Sequence, residues 1–203
     1  MLNFENDPKT ASKVVDKNGS PLILYHGTNS DILDFDTEKS SECGIGSGLG
    51  AFFTSNINYA NDYANEQGGN IIPVFLSIKN PLIIDDYYGI DEICRIASNY
   101  EAVAKYGKTI HDLEHSKFES DHEKAIAVLN MFYQAPSSDF FTYKNAKVKK
   151  ILLKIGYDGL ILIGDKQCNS KNDIVAVAFK PCQIKSSIGN NGNFDKANNG
   201  IIY

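Results

Sequence analysis

Leu24-Tyr25-His26-Gly27-Thr28 and, after a gap, Gly48-Leu49-Gly50-Ala51-Phe52-Phe53-Thr54 with Tyr63 beyond it read as one site in two pieces. The apolar run from Pro21 to Tyr25 ends abruptly in His-Gly-Thr. A buried strand that emerges at a cleft reads this way, with an imidazole at its rim. The second piece has glycines at 48 and 50, then a short aromatic strand, then a helix predicted from Asn56 to Glu66 that carries Tyr59 and Tyr63. Glycine lets a backbone pass close to a flat ligand, and aromatic faces then stack on it. Phe53 alternates to the opposite side of the strand from Phe52 and is expected in the core.

Working outward, Lys17-Asn18-Gly19-Ser20 lies between two apolar runs and predicts a hairpin. Residues 29 to 50 lack periodicity and hold four glycines, which predicts a loop over the cleft. Gly44, Gly46, Gly48 and Gly50 do not make a phosphate loop, because no Lys-Ser/Thr follows and the strand–Gly–helix order is missing. A strand is predicted from Ile71 to Ile78, broken at Asn80-Pro81 and resuming from Leu82 to Asp85. From about 91 to 136 the spacing of Ile93, Ile96 and Ala97, then Ala125, Ile126, Val128 and Leu129, predicts a helical insertion. Residues 145 to 155 form an amphipathic helix that stops at Gly156. Strands follow from Tyr157 to Ile163 and from Ile174 to Phe179, and residues from about 187 to 203 form an Asn/Gly-rich tail, poorly ordered or wrapped. Strands flanking a helical middle predict an α+β fold with a mainly antiparallel sheet, here as a single domain over 1–203.

The chain has 203 residues, of which 42% are hydrophobic, enough for one substantial core. A net charge of -5 gives no electrostatic footprint for nucleic acid. Lys147 to Lys150 and Lys154 are expected as a solvated helix face. No apolar run approaches the ~20 residues needed to span a bilayer, so no membrane partner is expected. The acidic start Met1-Leu2-Asn3-Phe4-Glu5-Asn6-Asp7 lacks the pattern of a signal peptide, and four cysteines without CxxC spacing read as free thiols. The expectation is a cytoplasmic protein of the producing or host cell, with delivery by a signal-less route left open. His111 and His115 are four apart, but no Cys or carboxylate cluster completes a site, so no metal is expected.

The His-Gly-Thr strand end, the Gly-x-Gly-Ala-Phe-Phe run and the eleven positions from Phe52 to Tyr63 resemble the ADP-ribosyltransferases of the diphtheria-toxin and poly(ADP-ribose) polymerase type. Those enzymes have His-Gly-Ser/Thr, then Gly-x-Gly followed by an aromatic pair, and a second Tyr at the same spacing. Gly156-Tyr157-Asp158-Gly159-Leu160-Ile161, Val177-Ala178-Phe179-Lys180-Pro181-Cys182-Gln183-Ile184-Lys185-Ser186 and Gly189-Asn190-Asn191-Gly192-Asn193-Phe194-Asp195 are similar to the subgroup in phage and mobile-element polyvalent proteins. The resemblance implies an ADP-ribosyltransferase-like split sheet and a phage-derived toxin or effector role.

It also implies a transferase that takes NAD as substrate, cleaves the nicotinamide–ribose bond and passes ADP-ribose to a macromolecular acceptor, protein ahead of nucleic acid. His26 would hydrogen-bond a ribose hydroxyl, with Thr28 adding another. Gly27 would bind the carboxamide through its backbone. Phe52 and Tyr63 would clamp the nicotinamide, with Gly50, Ala51, Ala60 and Val175 lining the NAD site. Three positions depart from the family pattern: Phe52 stands where Tyr is common, Ala60 where a Ser donates to the carboxamide, and Val175 where a late-strand Glu binds the ribose and activates an acceptor. The Val175 placement follows from Phe179, Pro181 and Gln183. Without that Glu, single transfer (mono-ADP-ribosylation) is the expected reaction rather than chain growth. Asp173 is a candidate to supply the missing carboxylate, because residues two apart on a strand share a face. Gln183, Glu42 and Asp158 are weaker candidates, Asp158 as a turn residue. The alternatives are a catalytically degenerate NAD or ADP-ribose binding module and an NAD glycohydrolase. RNA 2′-phosphotransfer on a related fold needs arginines, and Arg95 is the only one here.

Overall fold

Among the described residues, short apolar runs, each stopped by Gly, Pro, Asn or a polar pair, build a seven-stranded sheet. In the computed structural model the described residues are 11–38, 48–64, 68–85, 117–125, 146, 148–164, 172–189, 194 and 197–202. The strands are β1 (Leu24–Thr28), β2 (Ala51–Thr54), β3 (Asn70–Leu76), β4 (Pro81–Asp85), β5 (Gly159–Ile163), β6 (Ile174–Ala178) and β7 (Ile184–Ser186). Their order in space is β4-β5-β6-β2-β1-β3-β7. Only β4 and β5 run parallel, so the sheet is mainly antiparallel, as the strand pattern predicted. One helix, α1 (Ile57–Ala64), follows β2 directly.

Alternation along the strands sorts side chains into two cores. Leu82, Leu160, Val177 and Phe52 are register partners across four strands. They pack with Leu49 against Ala125 of a helical segment at 121–125 and against Val148, Ile151 and Leu152 of a helix at 148–154. The opposite face carries Leu24, Phe53, Val74, Leu76, Ile161 and Ala176. Phe53 is 1% exposed, in line with its alternation. Burying each such Leu, Val or Phe stabilises the fold by about 1.5–3 kcal/mol relative to leaving it in water.

The helix at 148–154 ends as its sequence predicts. Gly156 has φ +102°, Tyr157 N–H donates to the Leu152 carbonyl at 3.0 Å, and Gly156 N–H donates to the Leu153 carbonyl at 3.2 Å. This is a Schellman cap, whose left-handed residue favours glycine. Asp158 then accepts from Lys79 and Asn80 N–H, at 2.9 and 2.8 Å, which makes it the turn residue the sequence implied. Gln183 is likewise tied internally, donating to the Ser77 and Asp158 carbonyls.

Several expectations shift. The turn at Asn18-Gly19 forms, with Asp16 accepting from Asn18 and Ser20 N–H, but its arms meet in a single Val15–Pro21 bridge. The strand begins at Leu24 and runs to Thr28, because β3 pairs along all five of those residues. The lysine face needs correction. Lys150 and Lys154 are exposed, but Lys149 is 5% exposed. Residues 37 and 38 fold over it, and its ammonium reaches the Thr37 carbonyl and hydroxyl and the Glu38 carboxylate. Lys147 lies outside the described residues, as do Glu42, Arg95, His111, His115 and most of the predicted insertion. The described part of the tail is wrapped: Ile201 is 5% exposed and hydrogen-bonded to both Leu33 and Ser186. Among the described residues no helix is long and apolar enough to cross a membrane.

Candidate active site

β1 and β3 pair along five residues, whereas β1 and β2 share a single register pair, Tyr25 with Thr54. Where that pairing stops, a side chain takes over. His26 Nδ1 lies 2.8 Å from the Phe52 carbonyl. A carbonyl only accepts, so Nδ1 carries the proton and, in the neutral ring, Nε2 carries the lone pair. The Phe35 ring meets His26 edge-on at 5.0 Å and the Phe53 ring lies 5.5 Å away. Burial among these rings lowers the His26 pKa below 6.5, and the bond to the Phe52 carbonyl opposes that shift in part. The site therefore holds a neutral imidazole with a fixed acceptor nitrogen at neutral pH.

Gly27 follows on β1, and α1 lies directly against it. A Cβ at Gly27 would sit 1.7 Å from the Ala60 carbonyl oxygen. The missing side chain thus seats the helix on the strand. Gly50 is used in the same way against β6, where a Cβ would lie 2.4 Å from the Ala178 oxygen. Its neighbour Ala51 is buried and pairs with Ala178. Thr28 closes β1, and its hydroxyl accepts from Ser30 N–H at 3.1 Å.

The start of α1 is organised by Asn56. Its side-chain oxygen accepts from Asn58 and Tyr59 N–H at 3.0 and 3.3 Å, an N-cap, while its amide donates to Asp173 at 2.9 Å. The capped helix presents Tyr59 and Tyr63 one turn apart, rings T-shaped at 5.3 Å and hydroxyls 3.0 Å apart. Tyr63 is 49% exposed. Phe52 and Tyr59 both pack on Val175 and Leu162, and Val175 is 5% exposed opposite Thr54. Replacing Asn56 with Ala removes the cap and the Asp173 contact. We expect a loss of about 1–2 kcal/mol, read as a melting temperature lower by roughly 2–8 °C.

The predicted residues fall into groups. His26 and Phe52 are in direct contact, and Gly27 touches Ala60. Phe52, Val175 and Tyr59 form one apolar surface, and Tyr63 joins it through Tyr59. Asp173 sits beside the N-cap of α1, two residues before Val175 on the chain. Two contributors escaped sequence reading. Asn56 was legible in principle, because Thr54-Ser55-Asn56 before a helical run is an N-cap signature. Phe35 carried no local signal, being one apolar residue in an aperiodic loop. Among the described residues no three His, Cys, Asp or Glu side chains gather as a metal-holding group.

A family model described as ADP-Ribosyltransferase in polyvalent proteins matches residues 16–194. No curated protein and no solved structure matches the chain. The matched span takes in every strand of the sheet, α1 and the His26–Phe52 junction, and the chain belongs to the family of ADP-ribosyltransferases in polyvalent proteins.

Proposed function

We propose that the protein is a mono-ADP-ribosyltransferase that uses NAD and modifies a macromolecular acceptor, protein ahead of nucleic acid. The observation that carries this reading is the imidazole of His26, fixed by the Phe52 carbonyl where the β1–β2 pairing ends. Nε2 is then an acceptor for a ribose hydroxyl. Phe52 and Tyr63 offer aromatic faces for the nicotinamide, and the backbone of Gly27 its carboxamide partners. In the reaction the C1′–N bond breaks and its electron pair goes to the pyridinium nitrogen, so nicotinamide leaves neutral. The acceptor's lone pair bonds to C1′, and the acceptor's proton is lost to solvent. Orientation of this kind is worth up to ~7–11 kcal/mol of barrier.

Val175 favours single transfer over chain growth. It is packed among Leu162, Phe52 and Tyr59 and offers no carboxylate to activate a second ribose. Asp173 is our candidate for the acidic role, roughly 6–7 Å along the strand direction from Val175. It is already held by Asn56, so a modest reach by the acceptor would meet a fixed carboxylate. Asp173→Ala is expected to lower transfer about tenfold or more while NAD binding persists; full transfer activity removes Asp173 from the mechanism.

The deciding experiment is nicotinamide release from NAD by purified protein, with and without a cell lysate. Release that depends on lysate supports transfer. Release without lysate points to NAD glycohydrolysis or automodification. Val175 and Ala60 favour a second reading, a binding module, which predicts saturable NAD binding with no release. Tyr63→Ala adds an internal check. Tyr63 is half-exposed and loses its Tyr59 contact in this variant, so stability should fall by about 0.5–1.5 kcal/mol, while turnover falls about tenfold from lost stacking. An unchanged turnover in that variant would remove Tyr63 from the NAD site.

A further inference from the structure

The contacts that fix His26 continue away from the cleft. Phe35, 5% exposed, stands edge-on to the imidazole at 5.0 Å and to Phe53 at 5.2 Å. It belongs to residues 29–38, a stretch with no helix or ladder strand of its own. What holds this stretch is distant in sequence. Ile201 N–H donates to the Leu33 carbonyl at 3.1 Å, and Gly200 pairs with Asp34 in an isolated antiparallel bridge. The Ile201 side chain is 5% exposed and lies in the same core as Phe35, Phe53 and Leu24.

β7 holds that segment in turn. Ser186 N–H donates to the Ile201 carbonyl at 2.7 Å. Lys185 has no exposed surface, and its ammonium donates to the Asn198 and Gly200 carbonyls at 2.9 and 2.5 Å. A buried ammonium is tolerated only where its protons find acceptors, so Lys185 is committed to fixing these carbonyls. Gly200 N–H also donates to the Asn198 side chain at 2.8 Å, which sets the turn between the two. The segment lies beyond the residues 16–194 that match the family.

We propose that residues 197–202 are a positioning strap for His26, acting through Leu33, Asp34 and Phe35, with Lys185 and Ile201 as its anchors. This rests on the reading that His26 orients the ribose. The imidazole meets the Phe35 and Phe53 rings and the Phe52 carbonyl. A loosened strap frees Phe35 and lets water reach the ring.

The test uses the full chain and two readouts, the NMR titration of the His26 imidazole and nicotinamide release. Ile201→Ala is expected to move the His26 midpoint up toward 6.5 and to lower release about tenfold. Lys185→Met, which keeps the apolar stem and loses the donors, is expected to shift the midpoint in the same direction. Ile201→Val should keep both readouts near wild type. Leu152→Ala opens a cavity in the other core and should leave the His26 titration where it was. If Ile201→Ala does not fold, Lys185→Met is read in its place. A folded variant with an unmoved His26 titration overturns the proposal, as does an equal shift in Leu152→Ala. If wild-type protein releases no nicotinamide, the transferase reading fails, and the titration still decides the strap.

Discussion

Replacing His26 with Ala is expected to lower NAD turnover by about 10²-fold or more, the penalty typical of losing a group that orients a reacting sugar. The variant loses the Nδ1–H bond to Phe52, the link that continues β1 to β2 past Tyr25. It also loses ring contacts to Phe35 and Phe53. A stability loss of about 1–3 kcal/mol should accompany the activity loss, so turnover is compared at a temperature where both proteins are folded. The wild-type pH profile supplies a second check. The folded pKa of His26 lies below 6.5, so Nε2 stays an acceptor through neutral pH and the acid limb of turnover falls below 6.5. Stability has the same sign. The unfolded chain binds the proton more readily than the native one, so stability is lost as the pH drops from 6.5 through the lowered value. A His26→Ala protein that turns over NAD within twofold of wild type would exclude this site.

The second large effect is expected at Gly27, where Ala should be far more damaging than one methyl suggests. The added Cβ would lie 1.7 Å from the Ala60 oxygen, a backbone atom that cannot swing aside. α1 must lift from β1, carrying Tyr59 and Tyr63 with it. We expect a loss of about 3 kcal/mol or more, a drop of roughly 6–12 °C in melting temperature, and loss of NAD turnover. Gly189→Ala is the matched control. Its Cβ would come no closer than 3.4 Å to the Ile202 side chain and 3.7 Å to the Ser186 hydroxyl, ordinary contact distances, and the change should be worth no more than about 0.5 kcal/mol. A Gly27→Ala protein as stable as Gly189→Ala would show that the helix does not rest on the strand as described.

These expectations draw on different levels of information. Short continuous apolar runs with turn residues between them marked β2, β5 and β6 closely, because each strand is buried on both faces and its neighbours in sequence are strong breakers. Asn56 and Gly156 write the start of one helix and the end of another in local chemistry, through a side-chain cap and a left-handed turn. The motif residues His26, Gly27, Phe52 and Tyr63 were likewise visible, since their types and spacing are themselves the signal.

Local rules failed where a residue's environment comes from far along the chain. Lys149 reads as solvated on a helix wheel, yet Thr37 and Glu38 cover it from a separation of more than a hundred residues. Lys185 is a charged residue on the short edge strand β7, yet it is fully buried with its ammonium on the carbonyls of Asn198 and Gly200. Phe35 has no periodicity to announce it, and its place is defined by residues from distant segments, Leu24, Phe53 and Ile201 among them.

The α+β class, the family and the limits of β2, β5 and β6 were readable from the amino-acid order alone, because those are carried by local pattern and residue type. The tertiary structure alone decided that β1 and β2 part after one pair, that the His26 proton sits on Nδ1, and that Gly27 is glycine to admit a helix. The same holds for the tail residue Ile201, which is hydrogen-bonded to both Leu33 and Ser186. The reason is physical: pairing register, burial and close approach are relations between segments, and no single segment encodes the partner that will occupy its other side.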